Sequence, residues 1–519
     1  MRGTAPLPPK EIEVKLELAP KGLTSFQQIP LVRKLKSKPR RATEVSVYFD
    51  TDKYKLRKKG VLLRVRRIGN RYVQTIKSAA NSGTFDRDEW EAEIAGDQPD
   101  LSLAKGTALE GVLTKKVRQR LKPLFETRVQ RTEYEIADDA HAAALTVDRG
   151  TIDTGKHTAP LCEIEIELKR GSAAELFAIA SELTQRLPAQ LAVKSKSERG
   201  YELLDDSRGL PVKSAPIILA PGLSARDAFK IIGWACLTQI VSNETALAKG
   251  DPEGVHQMRV GLRRLRAGMA LFSTLLQDSQ TKTIKGKLKW LAGQLGPARE
   301  LDVLLDRVIQ PMKKRHVRWE GFPAISREVA SRREAALSSA QTAIHSARFH
   351  ALTLELAAWL ETGQWTNPDD DLVRDQGDMP IEMFAAGQLT RRWRKVRKQG
   401  KDLAHLDVRS RHKLRIKTKK LRYAVDFFAN LFQGKRTARR RKKFLNALEG
   451  LQDGLGDLND IAVHEKRIAT MAAARRQTKP HQAFAAGLLT GREDARIEAV
   501  LASSEKAYVA LAKVGPFWR

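Results

Sequence analysis

The sequence predicts two unlike halves: an antiparallel barrel or strongly curved sheet, followed by a duplicated helical bundle. Three observations carry this. From Glu11 to about Arg170, apolar and polar residues mostly alternate in short runs, the period of a strand. From Ser224 onward nearly every segment has helical spacing instead. The helical part also repeats itself: Val255–Arg266 (VHQMRVGLRRLR) lies over Arg411–Arg422 (RHKLRIKTKKLR), and Leu291–Gly296 lies over Leu451–Gly456. A repeat this long indicates a duplicated bundle rather than a solenoid of short units.

The first strand, Glu11–Leu18, sets the pattern. Glu11, Glu13, Lys15 and Glu17 share one face, and Ile12, Val14, Leu16 and Leu18 the other. Strands follow at Val45–Asp50, at Val61–Arg66 after Gly60, and at Arg71–Lys77 after the Gly69-Asn70 turn. Thr84–Ile94, Leu124–Ile136, Ala144–Arg149 and Leu161–Lys169 complete the set. Ser172–Leu187 has helical spacing, with Leu176, Ile179, Ala180 and Leu183 as its apolar stripe. Many strands with few helices suit an antiparallel closed or curved sheet. Pro211, Pro216, Pro221, Gly209 and Gly222 mark a linker at residues 206–223. A soft acidic stretch, Gly363–Gly377 with Pro368, divides the helical part (224–515) into halves of about 224–362 and 378–515.

The chain has 519 residues and a formal net charge of +32. About +8 falls in residues 1–210 and about +24 in 211–519, so the helical part is the main polyanion binder. Nucleic acid, an anionic membrane surface and inorganic phosphate chains share the required sign. The two cysteines, Cys162 and Cys236, make no disulfide framework and fit a reducing cytoplasm. Met1–Lys10 has no apolar signal region, and no apolar run approaches a membrane span. A soluble cytoplasmic protein is expected.

Charged strand faces recur with complementary signs. Acids come from Glu11/Glu13, Glu89/Glu91/Glu93 and Glu163/Glu165/Glu167; bases come from Lys15, Arg64/Arg66, Lys77, Arg87 and Arg131. On an open sheet these would be a solvated face. In a closed one they would line a lumen that cannot be a packed core, because unpaired buried charge is prohibitively costly. Such a lumen must hold water, metal ions and a charged ligand. Carboxylates without His or Cys suit a hard cation, Mg²⁺ or Mn²⁺. Arg and Lys suit phosphate oxygens. Metal with basic clamps is the equipment of phosphoryl transfer.

Glu11-Ile12-Glu13-Val14-Lys15 resembles the ExExK signature of the CYTH superfamily, the triphosphate tunnel metalloenzymes. Tyr48-Phe49-Asp50-Thr51, Gly60 through Arg66, Thr75-Ile76-Lys77, Arg87–Glu91, Asp148-Arg149-Gly150, Glu163–Glu167, Lys194-Ser195-Lys196 and Arg199-Gly200-Tyr201 follow in the family's order, over residues 8–205. The resemblance implies an eight-stranded antiparallel β tunnel that binds a triphosphate and one or two divalent metals. It implies metal-holding roles for Glu11, Glu13, Glu91, Glu163 and Glu165, and phosphate-clamping roles for Lys15, Arg64, Arg66, Lys77, Arg87, Arg131 and Lys196. Glu11, Glu13 and Lys15 are the implied catalytic residues, with water attacking a terminal phosphorus.

In the helical part, Arg259, Arg263 and Arg266 fall within about 80° of His256 on a helical wheel, a single basic stripe. His412, Arg415, Lys419 and Arg422 repeat it. Each stripe borders the apolar face, so the two could confront each other across a groove, where a flexible phosphate chain would relieve their repulsion. No zinc-finger or RRM-type motif appears and aromatics are 6% of residues, so specific nucleic-acid binding is not expected. These repeats are similar to the CHAD domain, whose His-x-x-Arg-x-x-x-Arg/Lys-x-x-Arg pattern occurs twice here, and whose Arg-Asp-x-Asp-Val element stands as Arg299-Glu300-Leu301-Asp302-Val303. The resemblance implies two four-helix bundles that bind inorganic polyphosphate, with association to polyphosphate granules as one consequence.

The leading expectation is therefore a Mg²⁺- or Mn²⁺-dependent inorganic triphosphatase joined to a polyphosphate-binding domain. The alternatives are a non-enzymatic protein that binds and localises to phosphate polymers, and adenylate cyclase or thiamine triphosphatase chemistry in the same tunnel.

Overall fold

The computed structural model describes residues 12–33, 35, 38–78, 88–311, 321–473, 487–488, 490–491 and 494–518. It forms two compact units: Met1–Ser214 with Gly233–Lys249 and Ile344–Thr366, and Ala215–Ile232 with Gly250–Ala343 and Asn367–Arg519.

The first unit is built on one antiparallel sheet of nine strands: β1 (Glu13–Leu18), β2 (Arg40–Asp50), β3 (Val61–Ile68), β4 (Arg71–Ser78), β5 (Glu89–Ile94), β6 (Lys122–Ala137), β7 (Ala142–Asp153), β8 (Thr158–Arg170) and β9 (Ala189–Leu191). Their order is β5-β4-β3-β2-β6-β7-β8-β1-β9. The eight-stranded closed tunnel expected from the sequence is corrected here. Among the described residues the ladder stays open between β5 and β9, and the ninth strand is a three-residue piece paired with Leu16–Leu18. Three residues are too few for alternation to reveal.

Register places one face of this sheet in an unbroken series. Lys15 pairs with Glu165, Glu163 with Asp148, Asp148 with Arg131, Tyr48 with Arg64, Arg64 with Thr75, and Lys77 with Glu89. Because side chains alternate, the opposite face is apolar. There Val14, Leu16, Ile164 and Ile166 are fully buried. Helix α1 (Ala173–Arg186) covers β1 and β8 with Leu176, Phe177, Ala180 and Leu183. Helix α2 (Lys196–Leu204) returns to the sheet and starts with a complete capping box, in which the Ser195 hydroxyl accepts from the Glu198 amide and Glu198 accepts from the Ser195 amide.

The helical elements are α3 (Ala225–Val241), α4 (Pro252–Leu271), α5 (Ser279–Leu304), α6 (Gly321–Ile344), α7 (Ala347–Thr362), α8 (Asp371–Asp378), α9 (Ile381–Gly400), α10 (Val408–Phe428), α11 (Lys435–Ala473) and α12 (Ile497–Val514). Helix α7 packs on α1 and β9, within the sheet unit. In the second unit the duplication is visible in the core. The offset that carries His256 onto His412 also carries Phe272 onto Phe428. Phe272 lies 4.6 Å from Phe384 in a stacked pair and 6.1 Å from Phe428 edge-on, a joint of apolar rings between the two halves.

Candidate functional site

One face of the sheet encloses a cavity of ≈ 350 Å³ whose walls are mostly charged. On one wall, the Lys15 ammonium lies 2.7 Å from Glu165 and 3.0 Å from Glu13. Lys196, the first residue of α2, reaches Asp148 at 2.8 Å and Glu165 at 3.0 Å, and also pairs with Glu163. Arg131 clasps Asp148 with two bonds, of 2.8 and 2.6 Å, and reaches Glu165 at 3.1 Å. On the other wall, Arg64 and Arg66 lie 3.5 and 3.3 Å from Glu91, which also accepts from the Thr75 hydroxyl at 2.8 Å. Lys77 pairs with Glu89 at 2.6 Å.

Asp148, Glu163 and Glu165 each offer a carboxylate oxygen within 4.8 Å of the other two. Three carboxylate oxygens so close together could hold a divalent cation. Burial raises the proton affinity of Glu163, which is 1% exposed, although Lys196 opposes it. Burial also acts to raise Glu165, but Lys15, Lys196 and Arg131 together hold its carboxyl well below the usual carboxylate range. On Lys196 burial works against the charge, yet Glu165, Glu163 and Asp148 keep the ammonium protonated far above its ordinary range. Neighbouring carboxylates of one cluster are thus pushed apart, the arrangement from which acid and base roles are drawn.

Of the residues predicted from sequence, Glu13, Lys15, Arg64, Arg66, Lys77, Glu91, Arg131, Glu165 and Lys196 line this cavity. Glu163 lies just behind its wall, held by Lys196 and by Arg199 at 3.4 Å. Glu11 and Arg87 lie outside the described residues. Glu91 sits among the arginines and does not belong to the Asp148–Glu163–Glu165 group. The motif Asp148-Arg149-Gly150 gives Asp148 no role by itself, and no sequence motif includes Glu44. Glu44 is 7% exposed and lies 3.7 Å from Arg66 and 3.8 Å from Arg131. The β-rich run read from Val45 in fact begins at Arg40, and extending the alternation back from Ser46 and Tyr48 would have found it.

Asp50, fully buried at the end of β2, anchors this wall from behind. Its carboxylate accepts from the amides of Thr51, Leu56 and Arg57, and from the Tyr201 hydroxyl at 3.0 Å. Tyr201 lies on α2, so this bond ties the helix that presents Lys196 to the strand that presents Tyr48.

In the second unit, α4 and α10 pack together and bring Arg259, Arg263, Arg415 and Lys419 of the two basic stripes close enough to repel one another. Arg263 donates to the Tyr423 hydroxyl at 3.4 Å. Arg259 donates to the Ala292 carbonyl at 3.4 Å beside Gly296, where a Cβ would meet its guanidinium at 3.2 Å. The Lys419 ammonium is pushed down to about 8, first by burial and then by Arg415 and Arg263. Burial, followed by Arg299, lowers His256. His256 Nδ1, Arg259 Nε and Arg415 Nε are buried without a hydrogen-bond partner among the described residues. His412 bonds Asn459 at 2.6 Å, and Arg415 lies 3.7 Å from Asp460, so Asn459 and Asp460 orient the second stripe. Arg266 is exposed, and Arg422 is engaged by Glu449 at 3.1 Å.

Residues 9–201 match the CYTH domain family and residues 231–469 the CHAD domain family. An inorganic triphosphatase of Haemophilus influenzae is 27% identical over 161 residues, 30% of this chain and 45% of that protein, so the chain spans less than half of that curated relative. The crystal structure of the CHAD domain from the plant Ricinus communis is 28% identical with a TM-score of 0.50, covering 58% of this chain and 97% of that one. PptA from Streptomyces chartreusis is 17% identical with a TM-score of 0.40, covering 56% of this chain and 100% of that one.

Proposed function

The chain carries a CYTH domain followed by a CHAD domain and belongs to both families, and on that premise we propose that it hydrolyses inorganic triphosphate with Mg²⁺ or Mn²⁺ in the sheet cavity while its helical groove binds inorganic polyphosphate. One observation carries the first part: Lys15, Arg64, Arg66, Lys77, Arg131 and Lys196 all converge on a cavity of ≈ 350 Å³ that also holds a cluster of carboxylates.

Without ligand, these cations neutralise the carboxylates of the wall. A triphosphate that enters must draw them onto its own oxygens, Arg in bidentate fashion and Lys as point charges. Asp148, Glu163 and Glu165 would then lose Arg131 and Lys196, at a cost of roughly several kcal/mol for each buried ion left uncompensated. They can release those partners only by holding another cation, so substrate and metal enter as linked ligands. Asp148, Glu163 and Glu165 would hold a divalent ion, which would offset charge on the phosphoryl oxygens and lower the pKa of water. Lys15 and Lys196 hold the negative charge that grows on the phosphate, and the walls keep the chain extended for in-line attack.

Phosphate release from tripolyphosphate, ATP, thiamine triphosphate and long polyphosphate, with Mg²⁺ and with Mn²⁺, tests this. Tripolyphosphate is expected to be the best substrate, and Glu13→Ala or Lys15→Ala to lower turnover by roughly 10²-fold or more, the usual cost of one preorganised charge. Release from none of them would favour a binding protein without enzymatic activity, and cyclic AMP from ATP would assign the cavity to cyclisation.

For the groove, the supporting fact is that Arg259, Arg263, Arg415 and Lys419 are juxtaposed with little carboxylate to balance them. In the cytoplasm this would tether the enzyme to polyphosphate or its granules. Arg259→Gln with Arg415→Gln should weaken polyphosphate binding and flatten its salt dependence. Duplex DNA competing equally well would remove the assignment.

A further inference from the structure

Glu44 is a carboxylate of the cavity that belongs neither to the metal group nor to the phosphate clamps. It stands on β2, between β3 and β6, and lines the cavity at 7% exposure. Its cross-strand neighbours, Val129 on β6 and Ile68 on β3, are apolar. Ala42 and Ser46 flank it on the same face of β2 and bring no charge. Among the described residues it pairs with two cations, Arg66 at 3.7 Å and Arg131 at 3.8 Å. Both distances are too long for a hydrogen bond, and Glu44 accepts none from any described residue.

The two guanidiniums come from opposite walls. Arg131 otherwise clasps Asp148 and reaches Glu165. Arg66 otherwise meets Glu91 at 3.3 Å, and its Nε is buried without a hydrogen-bond partner. When a triphosphate draws both guanidiniums onto its oxygens, Glu44 loses its counter-charge and gains phosphate oxygens of its own sign. A nearly buried carboxylate so placed is strongly disfavoured in its charged form. A metal ion cannot take that charge, because a hard cation needs several oxygens. The carboxylates close enough to share one are Asp148, Glu163 and Glu165, without Glu44. Arg64 on β3, Lys77 on β4, Glu91 on β5, Glu165 on β8, Lys15 on β1 and Lys196 on α2 surround the same cavity. The phosphate chain engages the cations among them, and the acids share the sign of Glu44. A proton remains. A protonated carboxyl donates to a phosphate oxygen that the carboxylate would only repel.

We propose that Glu44 binds triphosphate as the neutral acid, its O–H donated to a phosphate oxygen held between Arg66 and Arg131, so that the cavity takes up a proton from solvent together with its substrate. The inference rests on the triphosphate reading of the cavity.

The test uses the full chain carrying Lys419→Gln, which removes the titrating lysine of the helical stripes, and the same chain with Glu44→Gln added. Binding of a methylene-bridged, non-hydrolysable triphosphate is followed at saturating Mg²⁺ by calorimetry, in buffers of different ionisation enthalpy between about pH 6.5 and 9. Titration of the ligand itself is common to both chains, so their difference isolates Glu44. The chain with Glu44 should take up close to one more proton per triphosphate, and its affinity should fall by up to about tenfold more per pH unit. At the alkaline end Glu44→Gln should bind roughly tenfold more tightly, since an amide donates without first gaining a proton. Equal proton uptake by the two chains, or weaker binding by Glu44→Gln across the whole range, would overturn the inference and leave the cavity reading standing. Should Glu44→Gln fail to fold, uptake by the first chain no greater than the ligand's own titration supplies would overturn it equally. Absence of binding in the Lys419→Gln chain would instead remove the triphosphate reading.

Discussion

Lys419 is the residue whose chemistry should change most when the helical groove fills. Burial is the largest influence on it, followed by repulsion from Arg415 and Arg263, and these bring its ammonium from 10.5 to about 8. Asp460 pulls the other way and does not offset them. A drop of that size corresponds to on the order of 3 kcal/mol held against the charged form, at about 1.4 kcal/mol per pKa unit. The folded-state value lies below that of an unfolded lysine, so between about pH 8 and 10.5 the unfolded chain binds the extra proton. The Lys419 contribution to stability therefore rises with pH across that window and is an unrelieved cost below it. A polyphosphate in the groove reverses the balance, because the protonated form then gains a partner. Binding should weaken as pH rises through 8, and above pH 8 it should take up a proton. The assay is a pH titration of ¹³C-dimethylated lysines by NMR, with the Lys419 resonance identified by its loss in Lys419→Gln. The free protein should titrate near 8 and the polyphosphate complex at least one unit higher. Titration near 10.5 in the free protein, or no shift on saturation with polyphosphate, would refute the confrontation of stripes in the groove.

Three further outcomes follow from the same geometry. Tyr201→Phe removes the hydroxyl that donates to the buried Asp50 at 3.0 Å, at a cost of about 1.5–3 kcal/mol for a bond to a charged group. Loosening α2 in this way should raise KM for tripolyphosphate through Lys196 more than it lowers kcat, a split that steady-state kinetics will read. Gly150→Ala would set a Cβ 1.9 Å from the Arg128 carbonyl oxygen, inside the β6–β7 ladder, and should destabilise the sheet by about 1–3 kcal/mol in thermal unfolding. Asp148→Asn leaves the shape of the cluster but removes one charge from it; the apparent Mg²⁺ affinity in the phosphate-release assay should fall by roughly tenfold or more.

Much of the cavity was legible because a strand allows only two faces. Once Glu13 and Lys15 share one, the complementary signs at Arg64, Arg66, Glu91, Arg131 and Glu165 are enough to suggest a common lumen. Asp148 is harder to read, since a lone aspartate in Val-Asp-Arg-Gly resembles a turn signal until its neighbours on β6 and β8 are known. The number of strands was not legible, because β9 adds only three residues to the edge of β1. In the helical part, spacing identified both basic stripes and the apolar faces beside them, since each residue turns by a fixed angle. Periodicity shows that a helix has an apolar face and not what covers it. That is why α7 on α1 and β9, and the Phe272–Phe384–Phe428 joint, emerge only in three dimensions. Arg266 and Arg422 show the converse: a shared angular position does not make a shared environment.

The central claim is that the cavity's cations leave their carboxylates for phosphate only when a divalent ion takes their place. Equilibrium binding of a methylene-bridged, non-hydrolysable triphosphate, measured with and without Mg²⁺, tests it most directly. Charge exchange predicts strong reciprocal coupling, with each ligand tightening the other by the same factor of roughly 10-fold or more. Equal affinity for the triphosphate with and without the metal would contradict it.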